Sequence, residues 1–319
     1  MLTFNAHVHL NGSISAKYLF DAAVRNQCEQ FYTGFVNEAD LWQKFGWIHK
    51  IMQTPEDIRL ATLDVVEHSK ADILEIRTTP KEMKGHSIDG YIDAFVAGLT
   101  EAVNKFPQKR ARGLLSIDRS RHTLTDAKQI IDAALEQKQK NGMIVGIDLS
   151  GNFNGKRTLT GNELYDAIKY ALSLEIGVAL HVGEIDSIDE KTDFDLLLKA
   201  IQEYGGKIYG KVRFGHAIFR TKEQDEIIGK LKIPVEICPS CHQTLDWWKA
   251  NEPHPILTLY QHHARVIPGT DNSLLFACDE QNEQQTLDAF MQVPDKDKGL
   301  SKEQFAQKIS TKRKRYMFS

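Results

Sequence analysis

Residues 143–149 read MIVGIDL and residues 176–181 read IGVALH, and the stretch between these two apolar runs has a helical pattern. Short apolar runs bounded by glycine and polar residues are typical of strands that are buried on both faces. A strand, a helix and a second strand in succession form the repeating unit of α/β folds. This unit is the first indication of the fold class.

The same alternation of apolar runs and helical stretches continues on both sides of this unit. Six further strands are predicted at residues 2–10, 73–78, 112–118, 212–216, 233–238 and 264–271. Eight strands separated by helices give the count of a closed (β/α)8 TIM barrel, which we expect for this α/β chain. An open doubly wound sheet is the alternative, but no G-x-G-x-x-G turn follows an early strand.

The segment 14–70 interrupts the alternation because it is mostly helical between the first two strands. We therefore expect one domain over residues 1–319, with 14–70 as a helical insertion or lid within it. Phe45, Trp47 and Ile51 of this segment either cover a bound ligand or pack in the core, since apolar side chains on one helix face fit both roles.

Composition excludes several classes of protein. A net charge of −3 and a pI near 6.5 give no electrostatic footprint for nucleic acid. We expect a cytoplasmic monomer without a membrane partner, because no apolar run is long enough to span a bilayer and no signal-peptide pattern is present. Four cysteines are too few for a disulfide framework, and Cys238-x-x-Cys241 has no matching second pair. These two thiols are expected to line or back a pocket, and the basic run 312–315 to lie on a solvated final helix.

His7 and His9 are separated by one residue on the first predicted strand. Side chains alternate along a strand, so the two imidazoles point to the same face. Two histidines that converge at the end of a strand suit a metal ion, although a pair can also share a face by chance.

Polar residues with metal or acid–base chemistry follow later strands. His181 closes the fifth strand, His216 the sixth, and Asp271 follows the eighth. In (β/α)8 barrels the carboxyl ends of the strands converge on the face that carries the chemistry. Histidines and an aspartate from strands one, five and eight could hold one Zn²⁺ with a position open for water. His216 would then be a base or an electrostatic partner to that water, and Glu184 a proton donor.

These motifs resemble the adenosine and AMP deaminase family of zinc-dependent purine deaminases. The resemblance extends from His7 to about residue 276 and rests on HVHLNGS at 7–13, HVGE at 181–184, GH at 215–216 and TD at 270–271. The segments LEIRTTP at 74–80 and GIDLSG at 146–151 are similar to the adenosine deaminase-like branch, which acts on N6-methyl-AMP.

The resemblance implies a role for each motif residue. One Zn²⁺ per chain would be held by His7, His9, His181 and Asp271. The catalytic residues would be Glu184, which protonates purine N1, His216, which orients and deprotonates the attacking water, and Asp271. The backbone N–H of Gly183 would approach the purine, and Gly151 would be a further substrate contact.

Two asparagines mark departures from the family pattern. The family usually has a second aspartate where this chain has Asn272, and an amide can donate to purine N7 without titrating. Asn11 stands where members that act on nucleosides usually have aspartate, and a neutral amide favours a nucleotide because it does not repel a phosphate. Phosphate contacts are expected from the segment after the second strand, or else this segment is a solvated loop. Its candidates are Arg77, Thr78, Thr79, Lys81 and Lys84.

The leading hypothesis is a zinc-dependent hydrolase that converts N6-methyl-AMP to IMP and methylamine. The enzyme alternative is an adenosine deaminase, which acts on the nucleoside. A third possibility, from another class, is a catalytically degenerate protein that binds a purine or a metal.

Overall fold

Eight parallel strands lie side by side in chain order in one sheet, and each bonds to the next. The first and last strands meet through backbone hydrogen bonds. The N–H of His9 donates to the Asp271 carbonyl, and the N–H of Asp271 donates to the His7 carbonyl, both at 2.8 Å. The predicted (β/α)8 barrel is therefore confirmed. The strands are β1 (Phe4–His9), β2 (Ile73–Thr78), β3 (Arg110–Asp118), β4 (Ile144–Ser150), β5 (Gly177–Val182), β6 (Val212–His216), β7 (Pro234–Ile237) and β8 (Arg265–Pro268).

The computed structural model describes residues 3–205, 208, 210–249, 254–262, 264–290 and 317–318. The predicted basic run 312–315 lies outside these residues. The helices are α1 (Leu10–Ser13), α2 (Ala16–Arg25), α3 (Glu29–Asn37), α4 (Leu41–Ile51), α5 (Pro55–His68), α6 (Ile88–Lys105), α7 (Leu124–Asn141), α8 (Gly161–Ser173), α9 (Ile188–Tyr204), α10 (Lys222–Leu231), α11 (Pro239–Thr244), α12 (Ile256–Gln261) and α13 (Glu280–Phe290).

Local sequence explains where several helices begin. The hydroxyl of Thr54 accepts a hydrogen bond from the N–H of Asp57, and the Asp57 carboxylate accepts one from the N–H of Thr54. This reciprocal pair satisfies N–H groups that have no partner inside the helix, and Pro55 fits the first turn because it needs no donor there. The same kind of cap opens α7 and α10.

Two predicted strand ends differ from the structure. β1 ends at His9, one residue before its predicted end, and α1 begins at once, so Asn11 lies in a helical turn. β8 ends at Pro268 rather than at Asp271. Asp271 has a φ of +58°, which an extended strand does not allow, and it meets β1 through a single bridge to Val8.

Residues 14–70 contain α2, α3, α4 and α5 between the first two strands. Ile51 is fully buried, and the ring of Trp47 packs against Phe31 and close to Gly34. These two side chains therefore belong to the packing of the helices, which is one of the two roles that the sequence left open for them. That residues 1–319 form one domain with 14–70 as its insertion stays a prediction.

Charged side chains fill the middle of the barrel. Arg213 pairs with Glu75 on one side and with Glu236 on the other, and Arg77 lies 2.8 Å from the same Glu236 carboxylate. All four side chains are fully buried. Phe318 packs against this network. Its ring lies 3.7 Å from the Arg213 guanidinium, and its backbone N–H donates a hydrogen bond to Glu75 at 3.0 Å. Buried charges are costly unless paired, and here each one has a partner.

Among the helices of the described residues, none combines the length and the apolar character needed to cross a membrane.

Candidate metal and catalytic site

Four imidazoles converge at the carboxyl ends of β1, β5 and β6. The rings of His7, His9, His181 and His216 lie 4.8 to 5.2 Å apart in five pairs. Nε2 of His9 is 3.1 Å from Nε2 of His181 and 3.3 Å from Nε2 of His7. Asp271 adds a carboxylate oxygen at 3.5 Å from Nε2 of His9. The structure thus brings together the predicted ligands.

The spacing of these atoms fits a single metal ion. Ligand atoms about 2.0–2.2 Å from a tetrahedral zinc lie roughly 3.3–3.6 Å from one another. The ligand atoms of His7, His9 and Asp271 all lie within 4.8 Å of each other, and His7, His181 and His216 form a second such group. Nitrogen and oxygen ligands at this spacing suit zinc, because the Nε2 atoms lie close enough together to bind the same ion.

Carboxylates support two of the imidazoles from behind. Nδ1 of His7 lies 2.9 Å from Oε2 of Glu236, and Nδ1 of His181 lies 3.2 Å from Oδ1 of Asp148. Such partners fix the proton on Nδ1 and leave the lone pair of Nε2 facing the metal. Sequence reasoning missed Glu236 and Asp148 as supporting residues. The available signal was a charged residue inside an otherwise apolar strand.

Burial and charge set the protonation of these groups. Burial, followed by the positive charge of Arg77, holds the pKa of His7 well below its usual value. Burial and the neighbouring His181 lower the pKa of His9 in the same way. Burial also acts to lower the pKa of His181, but the Asp148 carboxylate outweighs it and the net shift is upward. Neutral His7 and His9 are ready to bind a metal without losing a proton.

Glu184 is a buried carboxyl group beside the histidines. Burial raises its pKa to about 7, although the positive charges of His181 and Arg119 oppose the shift. Arg119 donates to one carboxyl oxygen at 3.1 Å, and the other oxygen lies 4.0 Å from Nε2 of His216. A carboxyl group that keeps its proton near neutral pH can act as a general acid. Arg119 was not predicted as its partner.

The backbone turns the His216 side chain into the site. His216 has a φ of +59° and the next residue, Ala217, one of +49°. Consecutive residues with side chains are rarely left-handed, and such strain often occurs at functional sites. Nε2 of His216 lies 3.8 Å from Oδ2 of Asp271. The ring of Trp247 packs edge-on against the imidazole at 5.3 Å.

A cavity of about 420 Å³ opens above these groups. The predicted site residues that line it are His9, Asn11, Gly151, His181, Glu184, His216, Asp271 and Asn272. His7 is fully buried beneath them.

Gly183 differs from its predicted role. It is absent from the cavity wall that the described residues form, and its N–H donates to the Glu190 carboxylate at 2.7 Å instead of facing a ligand. The glycine has another reason: its φ is +63°, and a Cβ would lie 3.0 Å from the carbonyl oxygen of Phe219. Glu190 therefore takes the donor that we expected to meet the purine.

The two asparagines lie on the same side of the cavity. The amide of Asn272 donates to the Asp271 carboxylate, and its second N–H remains for a ligand acceptor. Gly12 of α1 packs so closely that a Cβ there would lie 1.9 Å from Oδ1 of Asn272. The amide of Asn11 is 3.1 Å from Nε2 of His49.

Of the five candidate phosphate contacts, one is already paired inside the protein and one lies outside the cavity wall that the described residues form. Arg77 lines the cavity but spends its guanidinium on Asp148 and Glu236, and Lys84 is exposed and outside the cavity wall formed by the described residues. Thr78 bonds to a tyrosine hydroxyl, although it and Thr79 line the cavity.

A positive region forms near Lys81. Burial and the neighbouring charge of Arg121 lower the pKa of Lys81 to about 8. Burial and the charges of Lys81 and Arg121 lower the pKa of His49 to about 3. All three residues line the cavity. Lys81 and the exposed Arg121 place positive charge at this end of the cavity, although the Arg121 guanidinium also pairs with the Asp118 carboxylate at 2.6 Å. A bound anion would find two cations here. The contributions of Arg121 and His49 were not predicted.

Aromatic rings cover the opposite part of the cavity. Phe45 lines it, which is one of the two roles that the sequence left open, together with Trp42 of the same helix, which was not predicted. Trp42 packs edge-on against Phe153 at 5.4 Å, and Phe153 against Trp247 at 5.1 Å. Cys241 lines the cavity, whereas Cys238 is fully buried. Neither thiol forms a disulfide.

Residues 3–311 match a protein-family model described as adenosine deaminase. An N6-methyl-AMP deaminase-L from Xenopus laevis is 30% identical over 291 residues, which cover 86% of this chain and 79% of the relative. The crystal structure of the N6-mAMP deaminase MAPDA from Arabidopsis is 26% identical with a TM-score of 0.78, and the alignment covers 97% of this chain and 91% of that one. An ADAL–IMP complex gives the same identity and TM-score over 97% and 90% of the two chains.

Proposed function

This chain belongs to the adenosine deaminase family, and we propose that it is a zinc-dependent hydrolase that converts N6-methyl-AMP to IMP and methylamine. Relatives named N6-methyl-AMP deaminase and an IMP-bound structure of similar fold support this substrate and product. The observation that carries the proposal is one cavity in which a metal-binding cluster, a carboxyl group with a pKa of about 7 and a positive region meet.

His7, His9, His181 and Asp271 would hold one Zn²⁺ per chain. When bound, zinc supplies a nucleophilic water at neutral pH because it lowers the pKa of that water to about 7. Glu236 and Asp148 keep the protons of His7 and His181 on the nitrogens that face away from the metal. In this way the protein keeps a lone pair on Nε2 of each of these two histidines, where the metal would bind.

Glu184 is the acid that activates the purine. Its protonated carboxyl would donate to N1, which withdraws electrons from C6 and makes that carbon open to attack. Nε2 of His216 reaches the oxygen that adds to C6, and Asp271 lies beside it at 3.8 Å from Nε2. The remaining N–H of Asn272 would bond to N7 and orient the base. The amine that leaves C6 carries the methyl group of the substrate.

The positive region favours a nucleotide over a nucleoside. Burial contributes most to the lowered pKa values of Lys81 and His49, and the charge of Arg121 adds to both shifts. A 5′-phosphate between Lys81 and Arg121 would replace repulsion with attraction. Asn11, as a neutral amide beside His49, adds no negative charge to this end.

Turnover of three substrates tests the proposal. We expect the zinc-loaded protein to convert N6-methyl-AMP to IMP faster than it converts AMP or adenosine. Lys81→Met should raise KM for N6-methyl-AMP by roughly 10–100-fold, since hydrogen bonds to charged groups contribute about 1.5–3 kcal/mol, and should leave adenosine turnover unchanged. Faster turnover of adenosine would favour the adenosine deaminase alternative, and no turnover of any substrate would favour the catalytically degenerate protein.

That the protein is a cytoplasmic monomer without nucleic-acid or membrane partners stays a prediction.

A further inference from the structure

His216 is the first of three histidines in a hydrogen-bonded row that leads away from the site. Its Nδ1 is 3.0 Å from Nε2 of His242 in α11, and Nδ1 of His242 is 3.1 Å from Nε2 of His254, which precedes α12. All three imidazoles are buried. The metal-binding cluster does not include His242 or His254, and the mechanism above gives neither a role.

At the end of the row away from the site, a backbone hydrogen bond determines which nitrogen of His254 carries the proton. The backbone N–H of Ile256 donates to Nδ1 of His254 at 3.1 Å. A backbone N–H can only donate, so this nitrogen must present a lone pair. Burial lowers the pKa of His254 to about 3 and that of His242 well below its usual value, so both rings are neutral at pH 7. A neutral imidazole has one N–H, which His254 must therefore carry on Nε2.

A neutral imidazole that accepts a hydrogen bond at one nitrogen must carry its proton on the other, and this applies to each ring of the row in turn. The N–H on Nε2 of His254 donates to Nδ1 of His242, so His242 must carry its own proton on Nε2. That proton points at Nδ1 of His216, which then has to accept it. The only nitrogen left for the proton of His216 is Nε2, which faces Asp271 at 3.8 Å and Glu184 at 4.0 Å.

We propose that His242 and His254 are positioning residues that hold His216 in the Nε2–H form. His216 then donates a hydrogen bond to the oxygen that attacks C6, and it has no lone pair on that side with which to remove a proton. Of the two roles that the sequence left open for His216, base and electrostatic partner, this tautomer favours the electrostatic partner. This role rests on the proposed function for the reaction, but the tautomer itself does not depend on the substrate.

The tautomer is measurable without any substrate. Zinc-loaded protein carrying ¹⁵N-labelled histidine would be examined by two-bond ¹H–¹⁵N correlation NMR, which tells a protonated ring nitrogen from an unprotonated one. We expect Nε2 to be the protonated nitrogen in His216, His242 and His254, with each spin system assigned from its loss in a single variant. A proton on Nδ1 of His216 would overturn the proposal.

A matched pair of variants tests the consequence for the reaction. His242→Gln keeps an N–H donor near Nδ1 of His216, whereas His242→Leu removes it at a similar size. Removing a partner that orients a catalytic imidazole typically costs about 10–100-fold, so His242→Leu should lower kcat by that factor with KM unchanged. His242→Gln should restore most of the rate.

Bound metal, measured by elemental analysis, should stay at the wild-type level in both variants. Equal loss of kcat in both variants, with metal retained, would overturn the positioning role. If wild-type protein fails to turn over N6-methyl-AMP, the proposed function fails, while the NMR spectrum still decides the tautomer.

Discussion

Two sides of the site hold their imidazoles in opposite ways. On the side of β4 and β7, carboxylates lie behind His181 and His7. On the side of α11, a neutral histidine lies behind His216. A carboxylate accepts the Nδ1 proton and turns a lone pair toward the cavity, whereas a donating neutral ring leaves a proton there. We conclude that the carboxylate side is arranged for a cation and the histidine side for an oxygen atom.

The largest effect that we expect is on the amount of bound metal, which should differ between a variant of a proposed ligand, His7, and a variant of His216. His7→Ala removes an imidazole whose lone pair faces the metal, so we expect loss of bound metal and of turnover. His216→Ala removes a ring that presents a proton, so metal should stay at the wild-type level while turnover falls. Elemental analysis of both purified variants checks this. Equal loss of metal from both would erase the distinction between the two sides.

Glu184 lies beside His216, and in the proposed mechanism it is neither a metal ligand nor a support for one. Glu184→Gln keeps the shape and the hydrogen bond from Arg119 but cannot transfer a proton. We expect kcat to fall by about 10²–10⁴-fold, the usual contribution of general acid catalysis, with metal content unchanged. Metal content and steady-state kinetics would be measured on the same sample. Release of the metal from this variant would mean that Glu184 is a ligand.

The support given by Glu236 can be weakened without touching a ligand. Glu236→Gln leaves His7 in place but replaces the negative partner of its Nδ1 by a neutral one. Metal affinity should fall by about 10–100-fold, as is typical when a supporting carboxylate is lost. Competition with a chelator of known affinity measures this.

Glu75→Gln is the matched control, because Glu75 pairs with the same Arg213. Each change leaves a buried arginine with one charged partner fewer, and breaking such pairs costs about 3–5 kcal/mol of unfolding free energy. Thermal unfolding should therefore shift in both variants, but only Glu236→Gln should weaken metal binding. Weaker binding in both would assign the effect to the charge network as a whole.

A smaller effect appears in the pH dependence. Burial raises the pKa of Glu184 to about 7, so its acid form is present below that pH and is lost above it. We expect kcat/KM to fall as pH rises through about 7, by roughly tenfold for each further unit. Glu184→Gln, which has nothing to ionise at that position, should lack this decline. An identical decline in the variant would place the titrating group elsewhere.

The sequence predicted the elements with the strongest local patterns. Apolar runs between helices gave all eight strands, because a strand buried on both faces must be apolar along its length. The convergence of His7, His181 and Asp271 followed from the rule that strand ends share one face of a barrel. The position of Glu184 three residues after His181 was informative for the same reason.

The supporting residues were not predictable from local patterns. Glu236 and His7 are 229 residues apart, and their contact depends on how the barrel closes. His242 lies in α11 and His254 just before α12, and only the coordinates show that they form a row behind His216. The family resemblance implied that the N–H of Gly183 meets a ligand. No local pattern indicates that Glu190, in the first turn of α9, accepts this hydrogen bond.

The proposed mechanism requires one metal ion per chain for the deamination. To measure this, metal is removed with a chelator, the protein is exchanged into metal-free buffer, and zinc is added stepwise while conversion of N6-methyl-AMP to IMP is followed. We expect negligible activity without metal and a linear rise that ends at one zinc per chain. Full activity in metal-free protein, or a rise that continues to two zinc ions per chain, would contradict it.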